Sequence, residues 1–273
     1  MPEPPVAATP EPAVAGTLEP PAARTPQPAL LNLVRARKYY SSPGGPVHAV
    51  DDVSVSFAER ELVAIVGPSG SGKTTLLLLA AGRLAPDEGS VRFQGHDLAA
   101  LSKREMLAHR RTNVGIVRQG FDLVEGLTAA ENVAMPLLLR RVDHSAAHRR
   151  ALAALDEVGL SARADHIPSR LSGGEQQRTA IARALIGEPK LILADEPTGH
   201  LDTDTGNEVL ALLSVLPRER GASTILVTHD TRIAQAADRV LEMRDGRLTE
   251  SKRERGREPV PEREPDHTPA SGR

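Results

Sequence analysis

The sequence predicts an α/β fold: a mainly parallel β-sheet covered by helices, with an inserted α-helical subdomain. Three observations carry that expectation. The short apolar runs 62–66, 191–194 and 224–227 have the length and Val/Ile/Leu content of strands buried on both faces. Helical patterns lie between them, and strands joined by helical right-handed crossovers run parallel. The long stretch from about residue 102 to 187 reads as helices apart from one short strand at 114–117.

Composition narrows the function classes. The 273 residues are 40% apolar and 26% charged, which suits a globular protein. A formal net charge of -2 gives no strong pull toward nucleic acid or anionic lipid. The aromatic residues are Tyr39, Tyr40, Phe57, Phe93 and Phe121, with no Trp, so the core falls to Leu, Val, Ile and Ala. A stacking platform for single-stranded nucleic acid is therefore not expected. The absence of Cys excludes disulfides and thiolate metal sites. The longest apolar run, 76–81, is far below the roughly 18 residues of a membrane span, and no signal peptide is expected. A membrane role would need a partner to supply the spans.

The elements follow in order. Residues 1–28 hold nine prolines and a single cation, Arg24, and are expected to be a disordered Pro/Ala-rich tail. The domain is expected to cover 29–250. Residues 53–57 alternate apolar and polar, a half-buried strand. The run 62–66 ends in a Gly-rich turn and is followed by a helix-forming run at 75–81. A helical subdomain is placed at about 120–187, with one helix at 146–158. A further helix follows Ser172, and 203–215 is helical between the strands 191–194 and 224–227. Residues 251–273 carry six cations, five anions and four prolines, a second, charged tail.

The turn after 62–66 carries the first chemistry. Gly67-Pro68-Ser69-Gly70-Ser71-Gly72-Lys73-Thr74, continued by Thr75, fits the phosphate-loop pattern in full, in a strand–loop–helix setting. Glycines let backbone N–H groups converge on phosphate oxygens, and the helix dipole favours the anion. Lys73 supplies a point charge to the phosphates, and the Thr74 hydroxyl can coordinate Mg²⁺. The strand 191–194 then ends in Asp195-Glu196. Asp195 can reach the same metal ion, and Glu196, pointing elsewhere, can polarise an attacking water.

A second helix start suited to an anion lies at Leu171-Ser172-Gly173-Gly174-Glu175-Gln176-Gln177-Arg178. Ser172 is a good N-cap, and an ordinary capped helix gives no reason for two glycines that weaken its first turn. This octet resembles the signature of the ATP-binding-cassette (ABC) ATPases, and the other motifs stand in that family's order over about 31–248.

The resemblance implies a phosphate-loop NTPase core with a mainly parallel sheet, a small antiparallel β part and an inserted α-helical subdomain, and a head-to-tail dimer that binds and hydrolyses ATP with Mg²⁺. ATP would be held by Lys73 of one copy and by Ser172, Gly173, Gly174 and Glu175 of the other. It further implies that Gln119 contacts Mg²⁺ and water and senses a permease. On the same resemblance His229 would be the switch histidine for the γ-phosphate, Asp202 the acid of a dimer-contact loop, and Tyr40 the aromatic that stacks on adenine, with Tyr39 as the alternative. Residues 127–133 and 197–202 are most similar to the branch of macrolide-exporter, lipoprotein-release and cell-division ATPases. A separate membrane permease is then the partner, with the ATPase peripheral on the cytoplasmic face of the cell membrane. Its work is export or extraction of a hydrophobic or amphipathic substrate, or mechanical regulation of an external enzyme without transport.

Three positions depart from the family pattern. Arg60 stands where Gly is usual, Arg118 where an apolar or aromatic residue is common, and His200 where a small or amide residue is usual.

Overall fold

The computed structural model describes residues 29–43, 45–229 and 236–250. The two expected tails, 1–28 and 251–273, lie outside the described residues.

Two sheets form the frame. Strands β1 (Ala29–Ser42) and β2 (Gly45–Ala58) make a long antiparallel hairpin, joined by β4 (Glu88–Phe93) and β5 (His96–Asp97) in the order β2-β1-β4-β5. The larger sheet has the order β10-β9-β3-β8-β7-β6. Its strands are β3 (Leu62–Val66), β6 (Val114–Arg118), β7 (Leu191–Asp195), β8 (Ser223–Thr228), β9 (Arg239–Arg244) and β10 (Arg247–Glu250). The five strands β9, β3, β8, β7 and β6 run parallel, and β10 pairs antiparallel at the edge. Strands β3, β7 and β8 match the predicted apolar runs because strands buried on both faces leave no room for alternation.

Helix α1 (Lys73–Ala80) lies between the sheets. Its Leu76 and Leu79 pack with Leu31, Phe57 and Phe93 on one side and Leu193 and Val227 on the other. On the opposite face, α5 (Gly173–Leu185) and α6 (Thr203–Glu219) cover the sheet, with Ile181, Leu185, Val209 and Leu213 against Ala64, Ile192 and Leu226. A third cluster joins α3 (Ala129–Leu139), α4 (His144–Glu157) and α5 through Val133, Leu137, Leu155, Ala182 and Ile186. Helix α5 thus belongs to both the sheet core and the helical part. Helix α2 (Lys103–Asn113) leads into β6 and buries no residue of its own.

Two local findings bear on the sequence reading. Helix α6 runs past the expected end at 215, through Pro217 to Glu219. Pro217 is buried and costs only one backbone bond near the helix end, so packing carries the last turn. Arg60 adopts a left-handed backbone, φ 57°, in the turn before β3 where glycine would fit without strain.

Candidate nucleotide site

Four neighbouring strands of the parallel sheet, β3, β8, β7 and β6, each end in one piece of predicted chemistry. The loop 67–74 follows β3, His229 follows β8, Asp195 and Glu196 close β7, and Gln119 follows β6. The carboxyl ends of parallel strands point one way, so the topology alone gathers these residues at one edge.

The loop after β3 folds tightly over the hairpin. A Cβ at Gly72 (φ 104°) would stand 1.9 Å from the Ala49 carbonyl oxygen, and one at Gly67 2.1 Å from the Met243 carbonyl oxygen. Only glycine allows that approach. The α1 N-terminus has no side-chain cap. Lys73 is almost fully buried, and its Nζ donates to the carbonyls of Gly67 and Pro68, each at 2.8 Å. The buried Ser71 hydroxyl has no partner among the described residues. The loop therefore carries a desolvated ammonium, a free hydroxyl and uncapped helix N–H groups, which together suit a phosphate chain.

Beside it, Thr74 Oγ1 donates to Asp195 Oδ1 at 3.3 Å. Burial, reinforced by the neighbouring charge of Glu196, pushes the Asp195 carboxyl above its ordinary value. Thr74, Arg118 and Lys73 oppose that rise without cancelling it, and hydroxyl and carboxylate oxygens are hard donors. This set fits Mg²⁺.

Glu196 has a left-handed backbone, φ 47°, and its N–H donates to Val227 O at 2.9 Å. That turn swings its side chain away from Asp195 to His229, whose Nδ1 lies 2.7 Å from Glu196 Oε2. Gln119 follows Arg118, which pairs with Asp195 across the ladder. Its amide lies against Gly199, where a Cβ would stand 2.5 Å from Nε2.

The signature segment is built differently. Ser172 Oγ accepts from Glu175 N at 3.2 Å, and Glu175 Oε2 accepts from Ser172 N at 2.8 Å, a complete capping box. Arg163 Nε donates to Glu175 Oε1 at 2.8 Å. The Glu175 carboxylate is thus occupied within the cap by Ser172 and Arg163. Gly174 has a steric reason the sequence did not reveal: a Cβ there would stand 2.2 Å from the Thr205 methyl in the first turn of α6. Asp202 caps that helix, its Oδ1 accepting from Thr205 N at 3.0 Å.

The two tyrosines separate clearly. Tyr39 is engaged: its N–H donates to Asp87 Oδ2 at 2.7 Å, its hydroxyl to Glu88 Oε1 at 3.2 Å, and its ring packs edge-on to His48. Tyr40 is 41% exposed and pairs across the hairpin with Val47, itself 51% exposed. The sequence reading missed Val47, because only the hairpin register brings it to Tyr40.

A family profile described as ABC transporter matches residues 50–199. The chain belongs to the ABC transporter family. This cassette is 46% identical over 217 residues to the lipoprotein-releasing system ATP-binding protein LolD 2 of Chlorobaculum tepidum, covering 77% of this chain and 88% of that protein. It is 44% identical over 221 residues to the macrolide export ATP-binding/permease protein MacB of Rhodospirillum rubrum, covering 81% of this chain and 34% of MacB. The match therefore spans about a third of MacB's length. Among solved structures, the ATP-binding cassette MJ0796 in a dimeric post-hydrolysis state bound to ADP and Pi is 38% identical, with TM-score 0.75, covering 81% of this chain and 98% of that one. The cassette fold and ATP hydrolysis follow for this chain. Among the described residues, no helix is long and apolar enough to cross a membrane.

Proposed function

We propose that this chain is the ATP-driven motor of a separate membrane permease, working as a head-to-tail dimer on the cytoplasmic face of the membrane, and that it exports or extracts a hydrophobic or amphipathic substrate. One observation supports the reading most: four adjacent strands deliver a phosphate loop, a desolvated aspartate, a histidine-held glutamate and a glutamine to one edge of the sheet. The relatives named for macrolide export and lipoprotein release, and the dimeric neighbour, support the partner and the direction of work.

In this reading the phosphates lie on the N–H groups of 67–74, with Lys73 turning from its two carbonyls to the β- and γ-phosphates. Thr74 and Asp195 would hold Mg²⁺, with Gln119 beside them, and the ion would neutralise charge on the phosphates. Glu196 orients the attacking water and accepts its proton, while His229 fixes that carboxylate and reaches the γ-phosphate. The triphosphate is closed from the other side by Ser172, Gly173 and Gly174 of the second copy. Tyr40, backed by Val47, stacks on adenine. Asp202 lies in the loop where the two copies meet.

The decisive test is Glu196→Gln with ATP. Turnover should fall about 10²–10⁴-fold, the scale of a missing general base. The protein should elute as a dimer retaining ATP. A monomer that encloses ATP, or turnover at the parental rate, would overturn the reading.

A further inference from the structure

The loop that carries Gln119 is held by a residue far along the chain. Arg183, on the third turn of α5, donates from Nη2 to Phe121 O at 2.8 Å and from Nη1 to Asp122 O. Both carbonyls belong to residues with left-handed backbones, φ 59° and 53°, which isolated residues avoid. The planar guanidinium suits two neighbouring acceptors as an ammonium does not. Arg183 is half-buried, and desolvation holds its pKa below the ordinary value, with the Asp122 carboxylate opposing that shift. On the other side Arg118 Nη1 reaches Asp122 Oδ2 at 3.3 Å. The Phe121 ring meanwhile lies at the start of α5, its Cζ 3.8 Å from where a Cβ of Gly173 would stand. Residues 121–122 are thus fastened to α5 at two heights, and Gln119 is separated from them only by Gly120.

The placement has a consequence that rests on the proposed dimer. There Gln119 serves the nucleotide on its own phosphate loop, whereas Ser172, about 16 Å down the same helix from Arg183, serves the nucleotide of the second copy. We propose that Arg183 is a positioning residue that couples the two nucleotide sites: it locks the Gln119 loop to the signature helix, so that engagement of α5 by one ATP sets Gln119 at the other. Arg183 touches no reacting atom and acts through Gln119. One rigid element then feels both sites, the physical requirement for coupling.

The test is a double-mutant cycle on the full-length chain. Arg183→Met should lower ATP turnover by about tenfold or more while affinity for a fluorescent ATP analogue stays within about twofold. In a Gln119→Ala background the same substitution should cost less than about twofold further, because its effect has no route left. Arg183→Lys should fall between, since one ammonium can still meet a carbonyl. The Hill coefficient for ATP should drop toward one in both Arg183 variants. Hydrogen exchange should rise at amides 120–124 and stay unchanged in α5. Equal losses with and without Gln119, or a parental protein that shows no cooperativity, would overturn the coupling. Should Arg183→Met fail to fold, the Arg183→Lys cycle decides alone. ATP-driven dimerisation of Glu196→Gln is the independent control: its absence removes the dimer itself, whereas a dimer with an additive cycle removes only the role of Arg183.

Discussion

The cassette has two helix starts offered to phosphate, and they are built on opposite plans. Helix α1 begins at Gly72 in a left-handed backbone with no side-chain cap, and its own lysine rests on loop carbonyls. Helix α5 begins with a complete capping box, braced from outside by Arg163. A helix start leaves its first N–H groups without partners, and side chains, water or ligands must meet them. At α1 no side chain meets that deficit, which leaves it for the nucleotide in the proposed scheme. At α5 the capping box already meets the N–H groups of Ser172 and Glu175, and what remains is the bare backbone of the two glycines between them. In the proposed scheme the first is a binding site in its own right. The second, in the same scheme, is a surface that completes the site of the other copy.

The sharpest way to break this contrast is Lys73→Ala. Without the only ammonium buried in the loop, ATP binding should weaken by about 100-fold or more, the scale of removing a charge-assisted hydrogen bond from a desolvated site. Ser172→Ala should leave binding to the isolated monomer within about twofold and instead weaken ATP-driven dimerisation, since in this scheme Ser172 meets only the other copy's ATP. Equilibrium binding by fluorescence, with sedimentation for the dimer, separates the two. Comparable losses of monomer affinity in both variants would erase the distinction.

A second substitution asks what the glycines of the signature are for. Gly174→Ala forces a methyl against the Thr205 methyl and should destabilise the fold by about 1–3 kcal/mol, as overpacking does. Adding Thr205→Ser removes the obstructing methyl and should restore much of that stability. Chemical denaturation reads both. If Gly174→Ala leaves stability untouched and harms only dimerisation, approach to phosphate rather than packing on α6 explains the glycine.

Much of the site was legible because chemistry and fold share a signal. Strands β3, β7 and β8 are continuous apolar runs, and their ends are where function sits, so reading the runs locates Lys73, Asp195, Glu196 and His229 together. Strands β1 and β9 gave no such signal. The former turns from apolar to charged along its length and slips register several times, and the latter mixes Arg and Glu into a six-residue strand. What stayed hidden is non-local. Gly174 meets Thr205 31 positions on, and the Arg183 hydrogen bond to Phe121 spans 62 residues. Neither pair leaves a periodic trace. Asn132 is another case: fully buried, its Nδ2 donates to three carbonyls of 124–128 and its Oδ1 accepts from Val124 N. A sequence shows only that an amide sits in a helix.

The smallest effect tests the capped helix start by pH. The bond from Ser172 N–H holds the Glu175 carboxyl below its ordinary value, with Arg163 adding to it and burial opposing it. A depressed carboxyl contributes stability that is fully present above its unfolded-state pKa, near about 4.3, and is lost as pH falls through the folded value. Glu175→Gln keeps the shape and a hydrogen-bond acceptor but removes the charge that the helix start and Arg163 favour. It should cost about 0.5–1 kcal/mol at neutral pH and progressively less below about pH 4. The two stability curves should therefore converge on acidification. An offset that stays constant down through that range would mean the charge contributes nothing, and that the α5 start is held by Ser172 alone.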